Sequence, residues 1–157
     1  MGDDASSERP LAQLITEAQA GRLSVDLSDD VRVNAEEFAY IERDCEAFKH
    51  EIQKLQRIAT NVSTQKKWGL GEDQALLTSA QAVVHRFRTK AAAVDAGKDS
   101  PNNVYDVLQQ HYQIIDELQQ LHRTIAQRYI QADQEFAARY NELMADMPTS
   151  PIGAEDR

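Results

Sequence analysis

The sequence predicts an all-α protein, and three observations predict it. Apolar residues recur at alternating steps of three and four, cap residues stand where those recurrences start, and the 157 residues include only six Gly and four Pro. Apolar residues make up 41% and charged residues 27%, a balance that suits a helix-rich chain better than a disordered or all-β one. A chain of this length builds one domain, or one elongated bundle with tails. The expected architecture is an elongated antiparallel helical hairpin or a three-helix bundle, with a short N-terminal accessory helix.

Residues 1–33 read as a flexible N-terminus holding that short helix. Pro10 suits its first position, where a missing N–H costs nothing. Leu11, Leu14, Ile15 and Ala18 give it one apolar face, and Gly21 ends it. Leu23, Val25 and Leu27 then alternate among Ser and Asp, which predicts an extended connector to Val33.

The bundle proper spans 34–146, with helices at about 34–65, 72–95 and 102–146. Asn34 is the N-cap of the first, Glu37 closes a capping box, and Val33 is placed to staple onto Phe38. Phe38, Ile41, Cys45, Phe48, Ile52, Leu55, Ala59 and Val62 form its stripe, over a rise of about 45–50 Å. Leu76, Val83, Val84, Phe87, Ala91 and Val94 mark the second helix, which Gly97 terminates. Ser100 and Pro101 restart helix as cap and first residue. The third stripe runs from Val104 to Leu143, and Pro148 and Pro151 lead into a disordered tail over 147–157. Because this helix is longer than the second, part of its stripe lacks a partner within the chain. Ile115, Leu118, Ile125, Phe136 and Tyr140 are therefore expected to meet another helical protein, as a hetero- or homodimer.

Charge and motifs narrow the function by exclusion. A net charge of −9 and a pI near 4.9 oppose binding to a phosphate backbone, so no nucleic-acid partner is expected. The longest basic run, Lys66-Lys67, reads as a solvated helix end. The single cysteine, Cys45, has no internal disulfide partner and lies on the apolar stripe as a small hydrophobe. The acidic N-terminus lacks the apolar core of a secretory signal, and no run approaches the ~18 apolar residues of a membrane span. No Glu is followed three residues later by His, and H-E-x-x-H, C-x-x-C, P-loop and G-x-G-x-x-G patterns are absent. The expectation is a protein that is not an enzyme and has no catalytic, metal or cofactor-binding residues. His111 and His122 share a stripe but stand about 16 Å apart, too far to hold one metal, and read as partly buried stripe residues. His50 and His85 read as surface residues.

Two local patterns remain. The sole tryptophan lies in Trp68-Gly69-Leu70-Gly71, where Gly69 and Gly71 can adopt positive φ and the indole can cover a chain reversal. A Tyr with Asp four residues on occurs three times, as Tyr40 with Asp44, Tyr112 with Asp116, and Tyr129 with Asp133. Only the last lies near the carboxyl end of the helical region, so position selects it.

On these residues the stretch from Val31 to Leu143 resembles the actinobacterial small helical proteins of type VII (ESX) secretion, the WXG-like family and its longer relatives. There a helix, a Trp-Gly turn and further helix precede a C-terminal Y-x-x-x-D signal. The resemblance implies a turn motif at Trp68, Gly69 and Gly71 and a secretion signal at Tyr129 and Asp133. It also implies pairing with another helical chain, contact with the secretion machinery, and export from a cytoplasmic pool without a cleavable signal peptide. A strict W-x-G would place Gly at position 70, where this chain has Leu70. The alternative reading is a cytosolic helical adaptor or chaperone that is not itself secreted.

Overall fold

The computed structural model describes residues 9–23, 33–95, 98–99 and 101–154. These are all-helical: α1 Ala12–Gln19, α2 Ala35–Thr64, α3 Thr78–Ala91, α4 Val104–Ala132 and α5 Gln134–Ala145, with no strand among the described residues. The expected disorder of residues 1–8, the connector over 24–32, Ser100 as a cap and the last three residues lie outside them. Two compact units divide the chain: Met1–Lys49 with Gln113–Arg157, and His50–Tyr112.

In the first unit the short accessory helix is present, and Gly21 follows it at φ 71°. Ile15 and Ala18 are its buried face. Asn34 caps α2 as expected, its side-chain oxygen accepting the Glu36 N–H at 2.9 Å. Val33 and Phe38 both pack against the core formed by Ala35, Ala39, Ala126, Phe136 and Tyr140. That core is aromatic: Phe38, Tyr129 and Phe136 lie within 6 Å of one another centroid to centroid, and Tyr140 stacks on Phe136 at 6.0 Å. Small alanines on α2 and α4 let those rings approach the backbone.

Two expectations in this unit fail. The helix expected over 102–146 is broken at Asp133, which is extended at φ −135° and ψ 113° and caps α5 with its carboxylate. A short acidic side chain offers the next amides a partner outside the helical ladder, so the ladder ends there and restarts. The tail is not loose over 147–154. Ser150 is buried and donates its hydroxyl to Asp44 at 2.7 Å, while Met147 packs on the aromatic core.

In the second unit the turn after α2 is longer than expected, and α3 starts at Thr78 rather than near 72 and ends at Ala91 rather than 95. Beyond its far end the Asp99 carboxylate accepts the Val94 and Asp95 N–H groups, each at 2.7 Å. Helix α4 begins at Val104, not 102. Asn103, 3% exposed, accepts the Asp106 N–H at 2.9 Å, so Pro101 stands before the helix rather than at its first position. Gln56 of α2 donates to Gln109 of α4 at 2.9 Å. The apolar core here is thin, comprising Ile52, Ala59, Val84, Ala91 and Ala92, with Gln56, Ser63 and Asn103 also buried. On α2 the inward face mixes the two kinds of residue: Ile52 and Ala59 are buried in step with the apolar repeat, whereas Gln56 is inside while Leu55 is exposed.

Candidate functional site

Of the residues expected to matter, Tyr129 and Asp133 are brought together on one cleft of about 670 Å³ in the first unit, lined also by Asn34, Glu135, Phe136 and Arg139. The backbone makes this happen. The Asp133 N–H donates to the Tyr129 carbonyl at 2.8 Å, and the Asp133 carboxylate accepts from the Glu135 and Phe136 N–H groups at 2.9 and 3.1 Å. A carboxylate at a helix N-terminus is favoured by the unpaired amides and by the helix dipole. The Tyr129 ring is half-buried against Phe38 and Phe136, at 5.9 and 5.4 Å.

The three Tyr-x-x-x-Asp pairs are equivalent as strings and different as sites. Asp44 is held by Arg43 and Ser150, and hydrogen bonding to Arg43, more than burial, keeps its carboxyl below the usual carboxylate range. Arg43 also lies over the Tyr40 ring at 4.7 Å. Asp116 pairs with Lys49 at 3.2 Å and accepts from Gln120 at 2.8 Å. Asp133 is exposed and, among the described residues, has no ion pair.

The expected interaction stripe is not an open one. Phe136 and Tyr140 are core residues, and Ile115, Leu118 and Ile125 are half-buried. The chain covers them itself. The break at Asp133 lets α5 fold its aromatic residues onto the start of α2, and the two ends of α1 bond to α4. The carboxylate of Glu117, 1% exposed, accepts Arg9 Nε at 2.7 Å and the Leu11 N–H at 2.9 Å, and Arg128 donates to the Gln19 carbonyl at 2.8 Å. Both ends of α1 are thereby pinned to α4. Periodicity could not reveal this, because a long apolar stripe looks the same whether a partner or an accessory helix covers it.

The Trp-Gly turn of the second unit is a carboxylate-filled loop. Gly69 and Gly71 have φ of 74° and 87°, and the Glu72 carboxylate accepts backbone N–H groups from Trp68, from Gly69 at 3.3 Å and from Leu70 at 2.9 Å. The backbone bond from Trp68 leads the causes that lower the Glu72 pKa below its ordinary value. The indole stacks on Phe87 at 5.8 Å and donates to the Gln65 carbonyl at 3.2 Å. Arg88 donates to the carbonyls of Gln65 and Lys66, just past the C-terminus of α2, where a cation offsets the helix dipole. Glu72 and Arg88 organise the turn, and neither was singled out from the sequence. A carboxylate directly after a Gly-x-Gly turn is the signal that points to Glu72.

The remaining candidates are structural. Cys45 is a free thiol, half-buried, its pKa raised by burial. His122 lies edge-on to Phe38 at 5.8 Å, and burial lowers its pKa. His111, expected to be partly buried, is exposed. Among the described residues no cluster of three His, Cys, Asp or Glu side chains could hold a metal, and no helix is long and apolar enough to cross a membrane. Comparison with protein-family models, with curated proteins and with solved structures finds no match to this chain.

Proposed function

We propose that the protein is a non-enzymatic component of type VII secretion, exported as a substrate or as a targeting partner paired with another helical chain, and that Tyr129 and Asp133 form its export signal. The observation that carries this reading is that Asp133, alone of the three motif aspartates, keeps a solvent-facing carboxylate outside any ion pair and shares a cleft with its tyrosine. Asp44 and Asp116 are tied to the cations Arg43 and Lys49, whereas among the described residues the Asp133 carboxylate accepts only from the amides at the start of α5. In this reading α2 and α4 are the antiparallel arms of a hairpin that α1, α3 and α5 elaborate. The signal is then a helix-to-helix corner rather than one continuous helical face.

That geometry selects the test. Tyr129→Ala would remove a ring from the aromatic core, so lost export could reflect lost fold. Asn caps helices as well as Asp does, so Asp133→Asn removes the charge and keeps α5 capped. Export measured in a strain with an ESX-type system should be lost for Asp133→Asn and retained for Asp116→Asn, both with wild-type helicity by circular dichroism. Normal export of Asp133→Asn would overturn the signal. Accumulation of the wild-type chain in the cytosol alone would favour the adaptor reading, which the exposed apolar residues of the second unit also suit.

A further inference from the structure

The second unit carries a surface that the export signal does not use. Phe87 is 56% exposed, Trp68 stacks on it, and Val83 stands one helical turn before it on α3. Arg88 ties α3 to the turn, so these three side chains belong to one face. Exposed cations neighbour these residues along the chain, while the one carboxylate placed in the turn, that of Glu72, is taken up by the backbone amides of residues 68–70. Lys66 and Lys67 immediately precede Trp68, and Arg86 is adjacent to Phe87. Among the described residues none of these three is ion-paired to a carboxylate. The setting is unusual for an acidic chain. Residues 50–112 hold eight Lys and Arg against six Asp and Glu, a net +2, whereas the remaining residues hold nine against twenty, a net −11.

We propose that the Trp68–Phe87 face docks an acidic amphipathic helix from another protein, with apolar side chains on Trp68, Val83 and Phe87 and carboxylates toward Lys66, Lys67 and Arg86. This rests on the reading that the chain pairs with a helical partner and supplies that partner's chemistry. Helix recognition needs apolar anchors at one-turn spacing, which Val83 and Phe87 offer, and complementary charge at the rim sets which helix is accepted. A second copy is a poor occupant. Its acidic unit spends its aromatic residues on its own core, where Phe136 and Tyr140 are buried. An anionic bilayer would attract the rim but repel a chain of net charge −9.

Trp68, the sole tryptophan, is a built-in reporter of this face. The full chain is titrated with a synthetic amphipathic peptide carrying Leu on one face and Glu on its flanks, with the same peptide carrying Lys instead of Glu, and with phosphatidylglycerol vesicles. The Glu peptide should shift Trp68 emission saturably and lose about tenfold in affinity for Lys67→Glu/Arg86→Glu. Both substituted positions are exposed, so the variant keeps its fold. Phe87→Ser should weaken binding similarly. Equal binding of the Lys peptide, a response to vesicles in place of the Glu peptide, self-association that buries Phe87, or full affinity in the charge-reversed variant would each overturn the proposal. None of these readouts depends on Asp133, so failure here is separable from failure of the export signal.

Discussion

The two units solve the problem of a small helical core in opposite ways. The first concentrates its large side chains, with Phe38, Tyr129, Phe136 and Tyr140 packed together over alanines, and pairs its cations with carboxylates: Arg9 with Glu117, Arg43 with Asp44, Lys49 with Asp116, Arg123 with Glu42 and Arg139 with Glu36. In the second, alanine and polar side chains occupy much of the interior, while Leu55, Ile58, Leu76, Leu77 and Phe87 are exposed, Leu76 to 94%. Apolar surface left in water is stabilisation not realised within the chain. The first unit buries its large aromatic residues within the chain; the second leaves much of its large apolar surface exposed.

The sharpest way to break this comparison is to remove one phenylalanine from each unit. Phe136→Ala leaves a cavity among three rings and should destabilise the first unit by about 3–5 kcal/mol. Phe87→Ala removes a ring already more than half in water and should cost about 1 kcal/mol or less, chiefly its stacking on Trp68. Urea denaturation of both variants reads the difference. Equal losses would mean that the second unit has a core as complete as the first.

Acid should separate the units next. His122 lies in the first unit, with Nδ1 buried and, among the described residues, without a hydrogen-bond partner. Burial lowers its pKa, against a smaller opposing pull from Glu42; Arg123 and Tyr140 are also close to that carboxylate. A base whose folded pKa lies below its unfolded value takes up a proton on unfolding. Its contribution is therefore absent well above the unfolded pKa of about 6.5 and becomes destabilising as pH falls below it. Melting temperature should fall between pH 7 and pH 5, and His122→Phe should flatten that dependence. A wild-type profile flat over this window would show that the ring protonates freely.

Helix identity was legible because it depends on local chemistry. The Asn34 cap, the helix of α2 and the positive-φ glycines Gly69 and Gly71 are where the residues put them, whereas the α2 stripe is so only in part, with Ile52 and Ala59 buried but Phe48 and Leu55 exposed. What was not legible was competition between uses of one residue. The apolar repeat passes Asp133 without interruption, from Tyr129 and Ala132 to Phe136, yet the Asp133 carboxylate serves as a cap and splits the helix. Phe136 and Tyr140 have the spacing of a partner-facing stripe, yet the split turns them inward. At the candidate site the pair Tyr129 and Asp133 was chosen by position alone. The distinction from Asp44 and Asp116 lies in Arg43, Ser150 and Lys49, two of which come from distant stretches of chain to their aspartates. Periodicity records what a helix could bury, not which neighbour arrives first.

The smallest expected effect concerns the turn that gives the second unit its exposed face. Glu72, half-buried in the turn, holds three successive backbone amides, and those bonds lower its pKa. A carboxylate with a depressed folded pKa stabilises above its unfolded value and loses that contribution as pH falls through the folded one. The turn should therefore loosen below about pH 4.5, a window separate from that of His122. Because only a local loop is held, global stability should hardly change, and the reporter is again Trp68. Loosening frees the indole from Phe87 and should alter its emission at low pH. Glu72→Gln keeps the shape but weakens acceptance from the amides, so it should show the altered emission already at neutral pH and no further acid step. An acid step retained in Glu72→Gln would assign the titration to another carboxylate, with Asp73 the nearest in sequence, and would detach the Trp68 face from the loop that is argued to present it.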